Sequence, residues 1–353
     1  MRLLAPSLLL LLVAPGCDTS EPDAAAAVYV GNQGIFSDNG GSVTSYDPEA
    51  QTSVADAFPG LGGLVQNVEV VGGEVYVLLN YSDSFGSGRG RIAVVDPETN
   101  AVTRAFDVST PRALAVSDLT AFVTNFYGAS VTPVDLASGA VGTPIAVGAN
   151  PEGIVEVDGR LFVANYSDAG FGDGSTVSVI SVSSRTVTAT LDLGCDGPRF
   201  VFADDDDEVW VVCTGRTLFD ADFNVVGEES GAVVVLDADG SEVTRFALDG
   251  QVGSGALGTD AAYSDARDEV FVVVGDQVLT FDTDGNRRAG TLTVGDGVSA
   301  LAYDDATDRF YLGRLDGQSP FAAPGTVTVH DRQGTLLDTF GAGVIPTDIA
   351  FVR

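Results

Sequence analysis

A pattern of short apolar runs recurs along the whole chain and constrains the fold more than any other feature. In its clearest copy, residues 150–184, a Pro-led run is followed by a turn, a second run, a Gly-rich stretch and a third run. Each run is rich in β-branched or aromatic residues and is bounded by turn formers, which is typical of strands joined by hairpins. The second run aligns in seven copies, at residues 28–32, 75–80, 121–125, 161–165, 209–214, 270–275 and 310–314.

A third run follows each of these copies, and nearly every one ends in an Asp that opens a tight turn. These positions are Asp47, Asp96, Asp135, Asp237, Asp282 and Asp331, with Ser181 in the fourth copy. An Asp side chain at such a place accepts hydrogen bonds from the backbone N–H groups of the turn. Successive third runs lie from about 40 to the mid-50s residues apart, which brackets the length of a four-stranded propeller blade.

The two ends of the chain carry complementary parts of one repeat. The first copy begins directly with its second run at Val28, and a Pro-led run without a repeat of its own follows the last copy, at residues 346–352. Pairing of these ends would close a ring and cover two strand edges. No long stretch has a 3.6-residue period. The sequence therefore predicts an all-β fold over residues 28–353: one closed seven-bladed β-propeller with four-stranded antiparallel blades, in which the N-terminal strand pairs with the C-terminal strand.

The first residues have the three-part pattern of an export signal. Arg2 precedes an apolar stretch that is too short to span a bilayer, and small residues then lead to Cys17. This arrangement resembles the bacterial lipobox. It predicts a signal peptide over residues 1–16, a lipidated Cys17, and a tether over residues 17–27 that holds the protein at the outer membrane or cell surface, facing outward or toward the periplasm. The alternative is an ordinary secretory signal with a chance Cys.

The charge of the chain excludes one class of partner. All 17 basic residues are Arg, there is no Lys, and the formal net charge is −33. Such a surface repels phosphate, so we expect no nucleic-acid binding. Asp-rich, Lys-free surfaces are also typical of proteins from saline habitats, where salt screens the repulsion between carboxylates. This composition gives the hypothesis of a halophilic source.

Apart from the lipidated Cys17, two cysteines remain after removal of the signal, and they could pair only with each other. Cys195 and Cys213 lie in the same repeat, one before its first run and one in its second, so a hairpin could bring them together. An exported protein favours a disulfide between them over two buried thiols.

Several short motifs resemble those of a known family. Phe-Val-Thr-Asn at residues 122–125 and Phe-Val-Ala-Asn at 162–165, with a Val-Gly-x-x-Pro joint at 147–151, are similar to the YVTN-repeat, YncE-like propellers. The ordered motifs at residues 31–36, 151–154 and 194–199 resemble a subgroup of propeller lipoproteins from Bacteroidota-type bacteria. The resemblance implies a binding protein: some members of this subgroup bind cobalamin at the cell surface, over a TonB-dependent corrinoid transporter.

The resemblance also indicates where this chain departs from the family. The Asn that ends the second run is present as Asn32, Asn80, Asn125 and Asn165, but Thr214, Gly275 and Arg314 replace it in the last three repeats. We expect this Asn to bond loop backbone at the strand exit, with ligand contact as the alternative.

Rings and charges are concentrated where a propeller gathers its loops. The loops after the second runs contain nine aromatic residues: Phe36, Tyr81, Phe85, Phe126, Tyr127, Tyr166, Phe171, Phe219 and Phe321. Such loops suit a broad ligand or a partner surface, although some rings will pack back on their own blades. Arg112, Glu152 and Arg199 each follow a Pro that opens a first strand. They should converge at the channel entrance, to meet a ligand or to pair with one another. The predicted ligand contacts are Tyr81, Phe85, Arg112, Phe126, Tyr127, Glu152, Tyr166, Phe171 and Arg199.

Signals for catalysis are few. The single histidine, His330, lies on a third run rather than in a channel loop, and no Cys-x-x-Cys, phosphate-binding loop or dinucleotide fingerprint is present. We therefore predict no catalytic residue, metal or cofactor. The predicted function is a lipid-anchored, non-enzymatic propeller that captures a small ligand such as a corrinoid for a TonB-dependent outer-membrane transporter. The alternatives are a structural or protein-interaction module of the envelope and a metal-dependent lactonase-like or lyase-like enzyme.

Overall fold

A computed structural model describes residues 25–81, 88–167, 174–220, 222, 224–253 and 258–353. These residues form seven four-stranded antiparallel sheets arranged as the blades of a propeller, which confirms the predicted fold class. From the outer edge inward, the first blade comprises β3 (Thr52–Val54), β2 (Ser42–Asp47), β1 (Ala27–Asn32) and β30 (Pro346–Val352). A 3-10 turn, Phe36–Asp38, lies between β1 and β2.

The next three blades each use four consecutive strands, here given from the channel outward. Blade two comprises β4 (Leu64–Val71), β5 (Glu74–Asn80), β6 (Gly90–Asp96) and β7 (Ala101–Val108). Blade three comprises β8 (Pro111–Ser117), β9 (Thr120–Asn125), β10 (Ser130–Asp135) and β11 (Ile145–Ala146). Blade four comprises β12 (Pro151–Val157), β13 (Arg160–Asn165), β14 (Thr176–Ser181) and β15 (Thr186–Asp192).

The last three blades follow the same order, with one insertion. Blade five comprises β16 (Pro198–Ala203), β17 (Val209–Cys213), β20 (Ala232–Leu236) and β21 (Glu242–Ala247). Between β17 and β20 stands a separate hairpin of β18 (Arg216–Phe219) and β19 (Val225–Glu229). Blade six comprises β22 (Ala261–Ser264), β23 (Glu269–Val274), β24 (Gln277–Asp282) and β25 (Arg287–Thr293). Blade seven comprises β26 (Val298–Asp304), β27 (Arg309–Arg314), β28 (Pro324–Asp331) and β29 (Leu336–Val344).

The chain ends close the ring as predicted. β30 pairs antiparallel with β1, with Phe351 opposite Val28 and Ile349 opposite Val30. The backbone N–H of Ala26 also donates to the carbonyl of Val352 at 2.7 Å. The C-terminal strand therefore supplies the innermost strand of the first blade.

The core lies between blades, because the second and third strands are apolar on both faces. All five residues of β17 are buried, and only the first residue of β5 is partly exposed. Trp210 of β17 is fully buried and stacks 6.1 Å from Phe246, ring centroid to ring centroid. Burial of each such side chain contributes about 1.5–3 kcal/mol. By contrast, the outer strand β15 is almost entirely exposed.

Asp residues at the ends of third strands stabilise the following turns, as predicted. Asp47 accepts from the N–H groups of Glu49 at 2.9 Å and Ala50 at 2.8 Å. Asp331 accepts from Gln333 at 2.9 Å and Thr335 at 2.7 Å.

The strand pairing corrects two positions of the sequence alignment. Asn165 lies opposite Pro151, and Cys213 lies opposite Pro198 in the same way, so Cys213 rather than Thr214 takes the place of the Asn. In blade six, Val274 rather than Gly275 faces the first residue of the third strand. Arg314 lies opposite Val298, the first residue of β26, so it takes the place of the Asn as the sequence alignment predicted. The β18–β19 hairpin was also missed, and Phe219 ends its first strand instead of lying in a loop.

Candidate functional site

One face of the disc gathers the starts of the first strands and the loops that follow the second strands. Pro111 lies opposite Asn125, and Pro151 opposite Asn165, so these segments share one end of their blades. We call this end the mouth face. The turns between first and second strands, such as Asp158-Gly159, lie on the opposite end, which we call the turn face.

A β-bulge near the start of the first strand recurs in six blades. The register shifts leave the following residues without a ladder partner: Gln66, Arg112 with Ala113, Glu152 with Gly153, Arg199, Ser299 and Thr347. A bulge re-aims the side chain of its extra residue and is over-represented beside functional sites. The four that carry long polar side chains, Gln66, Arg112, Glu152 and Arg199, all line one cavity. The Pro that precedes three of them was the visible sequence signal; the bulge itself was not.

That cavity lies in the channel near its mouth and has a volume of about 140 Å³. Blades two to five form its wall, with Asn67 and Glu69 beside the bulge residues. Arg112, Glu152 and Arg199 therefore meet as predicted. Gln66, Asn67 and Glu69 were missed, because nothing in the sequence of β4 marks them as facing the channel.

A short segment from blade six, residues 258–260, closes the other side of the cavity. The N–H of Thr259 donates to the carbonyl of Thr347 at 2.7 Å, and the carbonyl of Thr259 accepts from Leu301 at 2.6 Å. A Cβ on Gly258 would lie 1.5 Å from the Ser299 carbonyl oxygen, so only glycine fits there. This bridge to blades seven and one confines the cavity to half of the channel.

The charges at the mouth form two loose pairs. Arg112 Nε lies 3.7 Å from Glu152 Oε1, and both side chains are about nine-tenths buried. The Arg112 guanidinium also donates to Gln66 Oε1 and lies over the Phe126 ring, 4.4 Å from its centroid. Arg199 Nη1 lies 4.0 Å from Asp260 Oδ2, with Asp260 almost wholly buried. Pairing, the alternative to ligand contact, thus occurs only at distances beyond a hydrogen bond.

Three enclosed carboxyl groups lie around these charges. Burial and the neighbouring Asp348 together raise the pKa of Glu69 to about 8, although a hydrogen bond from the Asn67 side chain opposes the shift. Burial likewise raises the pKa of Asp260 to about 7, although Arg199 opposes the shift. Asp348 has its pKa raised by burial to about 6, against hydrogen bonds from the Val68 and Ile349 backbone and the Thr259 side chain. The sequence could not single these groups out among 50 acidic residues.

The predicted aromatic contacts occupy different places. Phe126 is buried, and its ring meets that of Tyr127 edge-on at 5.0 Å between centroids. Burial raises the pKa of Tyr127, with Arg112 lowering it and Glu152 raising it, so this ring stands beside the mouth charges. Tyr81 lies under the Arg89 guanidinium at 5.4 Å, and Tyr166 lies against Gly197. Phe85 and Phe171 lie outside the described residues.

Three other rings on this face are more than half exposed. They are Phe36 at 52%, Phe219 at 57% and Phe321 at 61%.

The strand-end Asn residues differ from expectation in what they bind. Asn125 Nδ2 donates to Ser130 Oγ at 3.0 Å and Thr132 Oγ1 at 2.7 Å. Asn165 Nδ2 makes the equivalent bonds to Thr176 and Ser178. These amides tie the second strand to hydroxyls of the third strand, rather than to loop backbone, because side chains of adjacent strands stand on the same face. Asn32 follows the prediction in part, since its Oδ1 accepts from the Gly343 N–H at 2.9 Å.

A disulfide replaces this amide link in blade five. Cys213, at the Asn position, is bonded to Cys195, with 6.1 Å between their Cα atoms. The bond ties the end of β17 to the loop that leads into Arg199, so it helps to fix the position of that side chain.

The remaining sequence features considered for chemistry, namely metal-binding groups, His330 and Cys17, do not contribute to this cavity in the part of the chain that the structure describes. In the described residues, no group of three or more His, Cys, Asp or Glu could hold a metal ion. His330, on β28, lies within 3.2 Å of the Gly334 carbonyl and does not line the cavity. Cys17 lies outside the described residues. Among the helices that the structure describes, none has the length and apolar character needed to span a bilayer.

Comparison with known proteins identifies the architecture alone. No family model matches the sequence, and no curated protein does. Hydrazine synthase of Kuenenia stuttgartiensis is similar in structure, with a TM-score of 0.62, 18% identity, and coverage of 84% of this chain and 90% of that one. Dihydro-heme d1 dehydrogenase NirN, in complex with DHE, gives a TM-score of 0.56 and 15% identity over 96% of this chain and 78% of that one.

The periplasmic gluconolactonase PpgL of Pseudomonas aeruginosa resembles the chain over almost its full length. Its TM-score is 0.66 at 17% identity, with 94% of this chain and 99% of that chain covered. Identities this low show a common fold and carry no activity across. The chain is a seven-bladed β-propeller with four-stranded blades.

Proposed function

We propose that this protein is an exported binding propeller that takes a polar ligand at the mouth of its channel. One observation carries the proposal: bulges in four consecutive blades direct Gln66, Arg112, Glu152 and Arg199 into a single cavity. Removing charged groups from water costs several kcal/mol each, roughly, unless they are paired and hydrogen-bonded. A ligand that satisfies these groups would recover that cost.

A corrinoid is the specific ligand that the family resemblance suggests. The cavity, at about 140 Å³, admits a small group rather than a whole macrocycle. A corrinoid would therefore lie across the mouth face with one polar substituent in the cavity and its apolar surface near Tyr127 and the exposed rings. Delivery to a TonB-dependent outer-membrane transporter belongs to the same proposal.

The chain path is compatible with a lipid anchor at Cys17. β1 begins at Ala27, on the turn face, so a tether that precedes it would leave the disc opposite the mouth. Ten residues of extended chain reach about 35 Å. An anchored protein would then present its mouth away from its own membrane.

A second candidate is a protein-interaction module of the cell envelope. It is favoured by the exposed rings of Phe36, Phe219 and Phe321, which stand on the mouth face together with Val225 and Val226 at 59% and 63% exposure. Large exposed apolar side chains that are grouped on one face mark protein contacts more often than single ones do.

Calorimetric titration with cyanocobalamin tests the ligand proposal. We expect the wild-type protein to bind, and a variant with Arg112→Gln and Arg199→Gln to bind about tenfold more weakly or worse, because each guanidinium loses its charged contact. Calorimetry is suitable because Trp210 is buried between blades and does not report on the mouth.

The matched control is Arg185→Gln, which alters an exposed arginine on the turn face. It should bind as the wild type does. If titration of cyanocobalamin into the wild type gave no heat of binding, a corrinoid would be excluded as the ligand. Equal affinity in the double variant would remove the mouth as its binding site.

A further inference from the structure

The two ion pairs at the mouth differ from other partly or wholly buried pairs of this protein. Arg332 and Glu269 form a two-pronged contact, with nitrogen–oxygen distances of 2.5 and 2.9 Å. Arg216 Nε reaches Glu229 at 2.9 Å. At the mouth, the corresponding distances are 3.7 Å for Arg112–Glu152 and 4.0 Å for Arg199–Asp260. The side chains of the mouth pairs are more buried than those of the other two pairs, and yet their nitrogen–oxygen distances are longer than a hydrogen bond.

Because the partners of each mouth pair lie far apart, donors on the arginines and acceptors on the carboxylates are left without hydrogen bonds in the described structure. Within the described residues, the Glu152 carboxylate accepts no hydrogen bond, and the Arg199 guanidinium donates none. Arg112 Nε, Asn67 Oδ1 and Asp260 Oδ1 are buried without a partner. A buried polar group with no partner costs roughly 1–3 kcal/mol, and a charged one costs more. The cavity thus presents donors and acceptors side by side.

We propose that the group that enters this cavity is an α-zwitterion: the ammonium and carboxylate of a free amino acid or of a molecule that carries the same head. This inference rests on the mouth site of the proposed function, but it assigns that site a ligand class other than the corrinoid, because cyanocobalamin carries no such head. The carboxylate would accept from Arg199 and from Arg112 Nε. The ammonium, with three donors, would reach Glu152 and Asn67 Oδ1.

The spacing of the mouth charges selects the α arrangement. Arg112 Nε and Glu152 Oε1 are 3.7 Å apart, so the opposite charges of a ligand that bridges them must also lie close together. In an α-amino acid, both charged groups are attached to one carbon. A cavity of about 140 Å³ suits such a head, while a side chain would extend past Tyr127 toward solvent.

The test uses L-alanine as the probe, with propionate and ethylamine as fragments that lack one charge each. Titrated calorimetrically into the full-length protein, L-alanine should bind, and each fragment should bind about tenfold more weakly or worse, because half of the charged contacts are lost. Glu152→Gln and Arg199→Gln should each weaken L-alanine binding by about tenfold or more. Exposed changes of the same chemical type, Glu49→Gln and Arg185→Gln, should leave it unchanged.

The possible outcomes separate this inference from the proposed function. Binding of cyanocobalamin without binding of L-alanine would overturn the zwitterion and leave the mouth site standing. Propionate or ethylamine binding as tightly as L-alanine would also overturn it. No binding of any probe would overturn both. If Arg199→Gln fails to give the wild-type thermal unfolding curve, Arg199→Lys replaces it: it keeps the charge but not the planar fork, and should still bind more weakly than wild type.

Discussion

A chain that ends at Gly343 should not fold into a stable propeller. This truncation removes β30 and the last residue of β29, so β1 keeps only β2 as a neighbour and the first blade loses its innermost strand. The truncated chain lacks the buried side chains of Ile349, Ala350 and Val352. It also lacks the Asp348 carboxylate, which accepts from the Val68 N–H. Loss of these apolar side chains alone removes roughly 1.5–3 kcal/mol for each large one, against a total domain stability of about 5–15 kcal/mol. The exposed edge of β1 should also promote association.

Urea unfolding followed by circular dichroism, together with size-exclusion chromatography, measures this effect. We expect a broad or absent transition and material in the excluded volume. The matched control ends at Val352, which keeps all of β30 and removes Arg353, whose guanidinium contacts Asp304 and lies over the Phe351 ring. It should unfold cooperatively. A truncated chain with the full-length midpoint would show that closure by the C-terminal strand does not hold the ring together.

Replacement of Glu69 by Gln should raise stability at alkaline pH and change it little at acid pH. Burial and Asp348 raise the pKa of Glu69 to about 8, from an ordinary value of 4.5. The folded state therefore holds a proton that the unfolded state releases between these two values, so stability falls as the pH rises through this range. The loss of stability caused by ionised Glu69 is absent below about pH 4.5 and complete above about pH 8. Because Glu69 retains some contact with the channel, we expect a gain of about 3 kcal/mol for the variant at about pH 9.

Urea unfolding of wild type and variant at about pH 5 and about pH 9 measures this difference directly. General repulsion among the acidic residues also changes with pH, but it is common to both proteins, and added salt reduces it. Glu49→Gln, at an exposed turn position, serves as the control. It should change the unfolding free energy by the same small amount at both pH values. If the unfolding free energies of Glu69→Gln and wild type differed by the same amount at both pH values, Glu69 would not be enclosed as the structure shows.

Sequence patterns were sufficient for the architecture because strands and turns are encoded locally. The Asp at the end of each third strand and the run at Pro346 predicted the blades and the closure correctly. Two alignments failed by a single residue, at Thr214 and Gly275, since the length of a second strand depends on its pairing. The role of the strand-end Asn was also wrong, because its partners are hydroxyls on an adjacent strand.

The site was only partly predictable, for a related reason. Arg112, Glu152 and Arg199 follow a Pro that marks the start of a strand, and this local signal placed them at the mouth. Glu69 and Asp260 lack such a mark. Whether an acidic residue faces the channel depends on bulges and on strand register, and a shift of one residue reverses the side on which it lies. The bridge at Thr259 depends on contacts with two other blades and has no local signal.

Backbone hydrogen exchange tests the central claim, that the channel mouth is the binding site, most directly. Exchange would be compared between the free protein and protein with a saturating excess of cyanocobalamin or of L-alanine. We expect slower exchange at the starts of three first strands, residues 110–113, 150–154 and 197–201, because a bound ligand would stabilise these segments against local opening. Unchanged exchange there with slower exchange at the turn face, for example at residues 204–208, would contradict the claim, as would no change anywhere.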